Sequence, residues 1–201
     1  MIVRLLMSSS PVFDAMFEAG DASEHLELTD PDIEKSSVLS FVLDLLHGKE
    51  VDVSWRGSAN CRAPRIVQAL QKYDCKGALT LLRLLIRNET LSGRYAGMRL
   101  FEAAVALDDL ETCHALICDA GSWTDKGYID RDEIPDQSSR GVASPMNPAN
   151  WTTLRFERMP VRVTRALLRG IETERMKSAS GVDWEAVADE FKRILEDSSG
   201  S

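Results

Sequence analysis

The chain has 201 residues, 44% hydrophobic and 28% charged, enough apolar content for one or two domains with their own cores. No apolar run is long enough to cross a bilayer, and MIVRLLM lacks the cleavage site of a leader, so an intracellular protein, cytoplasmic or nuclear and with no membrane partner, is expected. The net charge of −8 lies wholly in residues 1–54, which hold 11 Asp+Glu against 3 Lys+Arg, and such a surface repels nucleic acid and steers a basic protein partner.

Residues 5–17 are predicted as helix or helix-turn. Ser10 is placed to cap a new helix, Pro11 suits its first turn, and Val12, Phe13, Met16 and Phe17 fall on one apolar stripe. GDAS at 20–23 ends it, and HLEL at 25–28 alternates as a short half-buried strand. Asp30 and Pro31 are expected to open the next helix, where Val38, Phe41, Val42, Leu45 and Leu46 keep helical spacing until Gly48 closes it. Val51 and Val53 alternate with acids and predict another short strand, followed by a loop at WRGSAN, 55–60.

Ile66, Val67, Leu70 and Tyr73 define a further helix. ALTLLRLLI at 78–86, with Asp74 as cap, is apolar on nearly every side and is expected at the centre of the core. Two more helices carry Met98, Leu100, Phe101, Ala104 and Val105, then Leu110, Cys113, Leu116 and Ile117, the second ending at Gly121. Residues 122–150, rich in glycine, proline, serine and aspartate, are read as a flexible linker. Pro160 starts a helix bearing Val163, Leu167 and Ile171, and Asp183 caps a last one with Trp184, Val187, Ala188, Phe191 and Leu195 on one face.

Catalytic chemistry finds little support. Cys61, Cys75, Cys113 and Cys118 form no C-x-x-C pair, and Cys113, His114 and Cys118 share one helix, so reduced buried thiols are expected, with no metal and no cofactor. His25 lies at a strand start and His47 at a helix C-terminus; no G-x-S-x-G, P-loop or H-E-x-x-H is present. Arg162, Arg165 and Arg169 share one helical face, which Arg158 extends. That face suits an acidic ligand, nucleic acid or protein, or an internal contact with the acidic residues 1–54; no aromatics interleave, which favours the internal contact.

Four segments in this order resemble those of BTB/POZ domains. LMSSSPVFDAMF at 6–17 resembles the family's S-P-x-F and M-F helix, and LELTD at 26–30 its I-x-L-x-D strand. FVLDLLHGKEV at 41–51 is similar to its helix ending in Y-T-G-x-V, with Leu46-His47 where an aromatic is usual. LQKYDC at 70–75 resembles its A-D-K-Y-x-C/V step, with Leu70-Gln71 replacing Ala-Asp. The helices after residue 95, NPANW at 147–151 and Met159-Pro160-Val161 are similar to the helical region following the core in fungal BTB proteins. BTB domains begin with a β-hairpin and a His-Lys step, whereas Ile2-Val3-Arg4 stands where that step should be; the resemblance implies strands supplied by another chain or a truncated domain.

The resemblance implies an α+β fold: a BTB/POZ-like helical cluster with a small, short-stranded sheet over residues 1–90, then a helical pair at 91–121, the linker at 122–150 and C-terminal helices at 151–197. It implies a protein-interaction module without catalytic activity, self-associating as a homodimer or scaffolding other proteins. Val12, Phe13, Met16 and Phe17, together with Trp184 and Phe191, are the candidate interface residues, although docking of the last helix back on its own domain is the favoured reading. A cullin-ligase adaptor is a narrower reading, for which Met16-Phe17-Glu18 is the sole hydrophobic-x-acid candidate, and a chromatin or nucleic-acid regulator using the arginine face is a third.

Overall fold

The computed structural model describes residues 2–19, 30–53, 63–92, 97–121, 144, 146–177 and 181–199. The chain forms two compact units, Met1–Glu89 and Thr90–Ser201.

The first unit contains α1 (Ile2–Ser9), α2 (Pro11–Ala19), α3 (Ser36–Leu46), α4 (Ala63–Lys72) and most of α5 (Lys76–Ser92). Its core gathers the helical stripes: Phe13 of α2, Val38, Val42 and Leu45 of α3, Ile66, Val67 and Leu70 of α4, then Tyr73, and Ala78, Leu82 and Ile86 of α5. The turn between α4 and α5 is a Schellman closure. Cys75 N–H donates to the Leu70 carbonyl and Asp74 N–H to that of Gln71, with Asp74 left-handed at φ 49. The same closure ends α3, through Gly48 at φ 68 and Lys49.

Four expectations differ from the structure of this unit. Asp30 and Pro31 do not open α3. Asp30 Oδ1 instead accepts from Asp32 and Ile33 N–H at 3.0 and 3.3 Å, making an isolated turn that buries Ile33, and α3 begins at Ser36 behind a Lys35 that supplies no side-chain cap. Val51–Val53 is not a strand: Val53 is buried, but the segment is irregular, and no strand occurs among the described residues. The HLEL strand and His25 lie outside the described residues. Nor is α5 central on every side, since Leu84 is 57% and Leu91 83% exposed. Asp74 is the C-terminal closure of α4 rather than a cap for α5.

The second unit contains α6 (Met98–Ala106), α7 (Leu110–Cys118), short 3-10 turns at Asp119–Gly121 and Pro148–Asn150, α8 (Thr153–Arg158), α9 (Val161–Lys177) and α10 (Trp184–Ser199). A third Schellman closure ends α6, with Asp108 left-handed at φ 54, and the next residue immediately caps α7. Asp109 accepts from Thr112 N–H at 3.3 Å and from its hydroxyl at 2.9 Å. Asp183 caps α10 as expected, accepting from Glu185 and Ala186 N–H. Helix α10 packs on α7 and α9; Val187, Ala188, Phe191 and Leu195 are all buried, and Phe191 meets Phe101 at 6.1 Å between ring centres. Gly170 permits the close approach of α9 to α10: a Cβ there would lie 3.1 Å from the Val187 carbonyl oxygen. Of the expected linker, Met146, Asn147 and Pro148 are buried and Pro148–Asn150 forms the 3-10 turn. No described helix is long and apolar enough to cross a membrane.

Candidate interaction surfaces

The sequence SSSP becomes an anchor for the N-terminal helix pair. Ser10 is 1% exposed, and its hydroxyl makes two bonds: it donates to the Tyr73 carbonyl and accepts from Phe13 N–H at 3.1 Å, capping α2. Phe13 stacks on the Tyr73 ring, 4.3 Å between centres. The Tyr73 hydroxyl donates in turn to Glu34, a carboxylate whose side chain is 3% exposed and which also accepts from Lys72 Nζ at 2.6 Å and from Asp30 N–H. Burial alone would raise the pKa of Glu34; the bonds from Lys72, Tyr73 and the Asp30 backbone, with the Lys72 charge, outweigh it and hold the pKa at about 2. Tyr73 is pushed up by its own burial and by the adjacent carboxylate. This tether joins α2, the Asp30 turn and α4.

The pair held this way presents apolar side chains that the rest of the unit covers only in part. Leu5, Leu6 and Met7 of α1 and Val12, Met16 and Phe17 of α2 are half-buried, and Val3 is 46% exposed. Of the expected interface residues, Phe13 instead belongs to the core, at 4% exposure. In the C-terminal pair, Trp184 is half-buried and Phe191 is fully enclosed between helices of its own unit.

On α9, Arg162, Arg165 and Arg169 are all exposed. Arg162 pairs with Asp108 of its own unit at 2.8 Å. The exposed flank of this helix also carries Val161 and Met176, which the basic pattern of the sequence does not reveal.

The remaining reactive groups sit in unfavourable surroundings for chemistry. His114 Nε2 lies 2.8 Å from Asp189 Oδ1, and its Nδ1 3.6 Å from Cys118 Sγ, an arrangement that superficially matches a nucleophile, base and orienter. The Cys118 thiol is nevertheless pushed up, first by burial and then by Glu185, Asp189 and Asp119, so the field opposes the thiolate such chemistry requires. Cys75 and Cys113 are buried, also with raised pKa values, and all three are free thiols, while Cys61 lies outside the described residues. No cluster of three or more metal-ligating side chains occurs among the described residues.

The described residues form a helical cluster whose N-terminal helix pair leaves apolar side chains part-open. Residues 4–89 match the family model of the BTB/POZ domain, a protein–protein interaction module; the match covers a little under half of the chain and ends where the first compact unit ends. Neither the curated proteins nor the solved structures returned a match.

Proposed function

We propose that the chain self-associates through the α1–α2 pair, acting as a protein-interaction module rather than as an enzyme. The observation that carries this reading is the run of half-buried apolar side chains on two adjoining helices, Leu5, Leu6, Met7, Val12, Met16 and Phe17, with Val3 open beside them. Part-covered apolar surface of this kind gains free energy when a second surface covers it, at roughly 25 cal/mol per Å² removed from water. A second copy brings the same surface, which a two-fold arrangement places against itself.

Size-exclusion chromatography with light scattering tests this. The expected result is a mass that rises towards the dimer with concentration, and a shift back to monomer for Val3→Glu with Met16→Glu. Val3→Glu alone, at an exposed position, keeps the test valid should the double variant unfold. A strict monomer at high concentration defeats the proposal. The adaptor reading has a narrower basis, the Met16-Phe17-Glu18 triplet, in which Glu18 is exposed and both apolar residues are half-buried. Retention of the chain by a cullin N-terminal domain, lost in Phe17→Ala, would support it, and no retention removes it.

A further inference from the structure

Helix α9 buries Val163, Ala166, Leu167, Gly170 and Ile171 and turns a different residue set outward. Val161 is 83%, Leu168 41% and Met176 80% exposed, three large aliphatic side chains spaced along one flank. At 1.5 Å per residue this flank extends about 23 Å. Between them stand Arg165, Arg169 and Arg175, also exposed. Arginines elsewhere in this unit are matched: Arg162 with Asp108, Arg193 with Glu190 and Asp197, Arg155 with Glu102. Arg165, Arg169 and Arg175 form no ion pair among the described residues, although the Arg169 charge helps to lower the pKa of Glu190 on α10, and Glu172 is the single acid on the flank.

We propose that this flank docks an acidic amphipathic helix of a partner protein. Arg165 and Arg169 are four residues apart, so their guanidinium groups match carboxylates at the same spacing on an opposing helix. Val161, Leu168 and Met176 supply the apolar anchors that a helix docked on a surface requires, and methionine adapts its shape to the partner. A nucleic-acid backbone would satisfy the arginines but leave three aliphatic side chains facing phosphate and sugar, and the flank offers no aromatic ring on which a base could stack. The site lies in the second unit and shares no residue with the α1–α2 surface.

The probe is a labelled synthetic helical peptide with Glu at every fourth position and Leu beside it, titrated with the full chain by fluorescence anisotropy. Binding is expected to weaken with salt and to fall about tenfold or more for Arg165→Glu with Arg169→Glu. Leu168→Ser is expected to weaken it several-fold on its own. A peptide with Lys in place of Glu should ignore the wild type and bind the charge-reversed variant. All three substituted side chains are exposed, so circular dichroism should show unchanged helix content. The Val3→Glu chain should bind the acidic peptide as the wild type does, which separates this site from self-association. Absence of binding to the wild type, or equal binding by the charge-reversed variant, overturns the proposal. So does displacement of the peptide by duplex DNA or by phosphatidylserine vesicles with no sensitivity to Leu168→Ser.

Discussion

Replacing Ser10 by alanine tests how the N-terminal helices are held. The hydroxyl is 1% exposed and serves two backbone groups at once, the Phe13 N–H at the start of α2 and the Tyr73 carbonyl. Loss of the cap costs about 1 kcal/mol. A buried carbonyl left without its partner costs about 1–3 kcal/mol more. The weak approach of Cys75 Sγ to the same carbonyl, at 3.7 Å, keeps this second cost towards the lower end. The expected total is therefore about 2–3 kcal/mol. With a urea slope of about 1–2 kcal/mol/M for a unit of this size, the midpoint should fall by roughly 1–3 M at constant slope. Glycine separates the two contributions: at a cap position it costs only a few tenths of a kcal/mol, so Ser10→Gly should retain most of the carbonyl loss and little of the cap loss. Ser8, exposed and bonded only to the Leu5 carbonyl of its own helix, is the control, and Ser8→Ala should stay within about 0.5 kcal/mol of wild type. If Ser10→Ala is no more damaging than Ser8→Ala, the anchoring role assigned to SSSP is wrong.

Three further outcomes are expected. Glu34 is held at about 2 in the folded chain against an ordinary value of 4.5, so its contribution is present above pH 4.5 and is lost as pH falls through about 2. The stability gap between wild type and Glu34→Gln, about 2 kcal/mol at neutral pH once screening at the part-exposed Lys72 is allowed for, should shrink over that window in acid titrations of urea unfolding. Gly170→Ala gains up to about 1 kcal/mol of helix propensity but forces a Cβ against the Val187 backbone, a cost of about 1–3 kcal/mol, so the net effect should be destabilising. Gly77→Ala, where nothing lies within 4 Å, should stabilise, and thermal melts showing the same sign at both sites would refute the close-approach reading of Gly170. Finally, Asp74→Gly should raise stability by about 0.5–1 kcal/mol by relieving a left-handed non-glycine residue, and Asp74→Val should lower it.

The helical faces of both units were legible because periodicity reports burial along a single element. Ile66, Val67 and Leu70, or Val187, Ala188 and Phe191, needed no knowledge of their partners. Local caps were equally readable where a side chain meets its own helix, as at Ser10 and Asp183. Asp30 failed for an instructive reason. Its turn is not extended into α3 but ends at Glu34, which Lys72 and Tyr73 engage from a distant part of the sequence. A capping rule sees only neighbours, and this pull is non-local. Asp74 failed because a left-handed aspartate closing one helix and an aspartate capping the next look identical in one dimension; only the bonds from Asp74 and Cys75 back to α4 distinguish them.

The surfaces were less legible than the cores, and the reason bears on function. Apolarity on every side of ALTLLRLLI suggested the deepest position in the fold, yet Leu81 and Leu84 are open. Composition cannot distinguish a side chain buried by its own chain from one that a partner would bury, because both are apolar for the same physical reason. The same ambiguity divided the expected interface residues: Phe13 and Phe191 belong to cores, whereas Val12, Met16 and Phe17 remain part-open. Arg165 and Arg169 were visible as a basic stripe, but their meaning depends on Val161, Leu168 and Met176, whose exposure only the packing of α9 against α10 determines. For a chain proposed to act by contact, the informative quantity is apolar surface left over after folding, and that quantity is a property of the whole unit rather than of any segment.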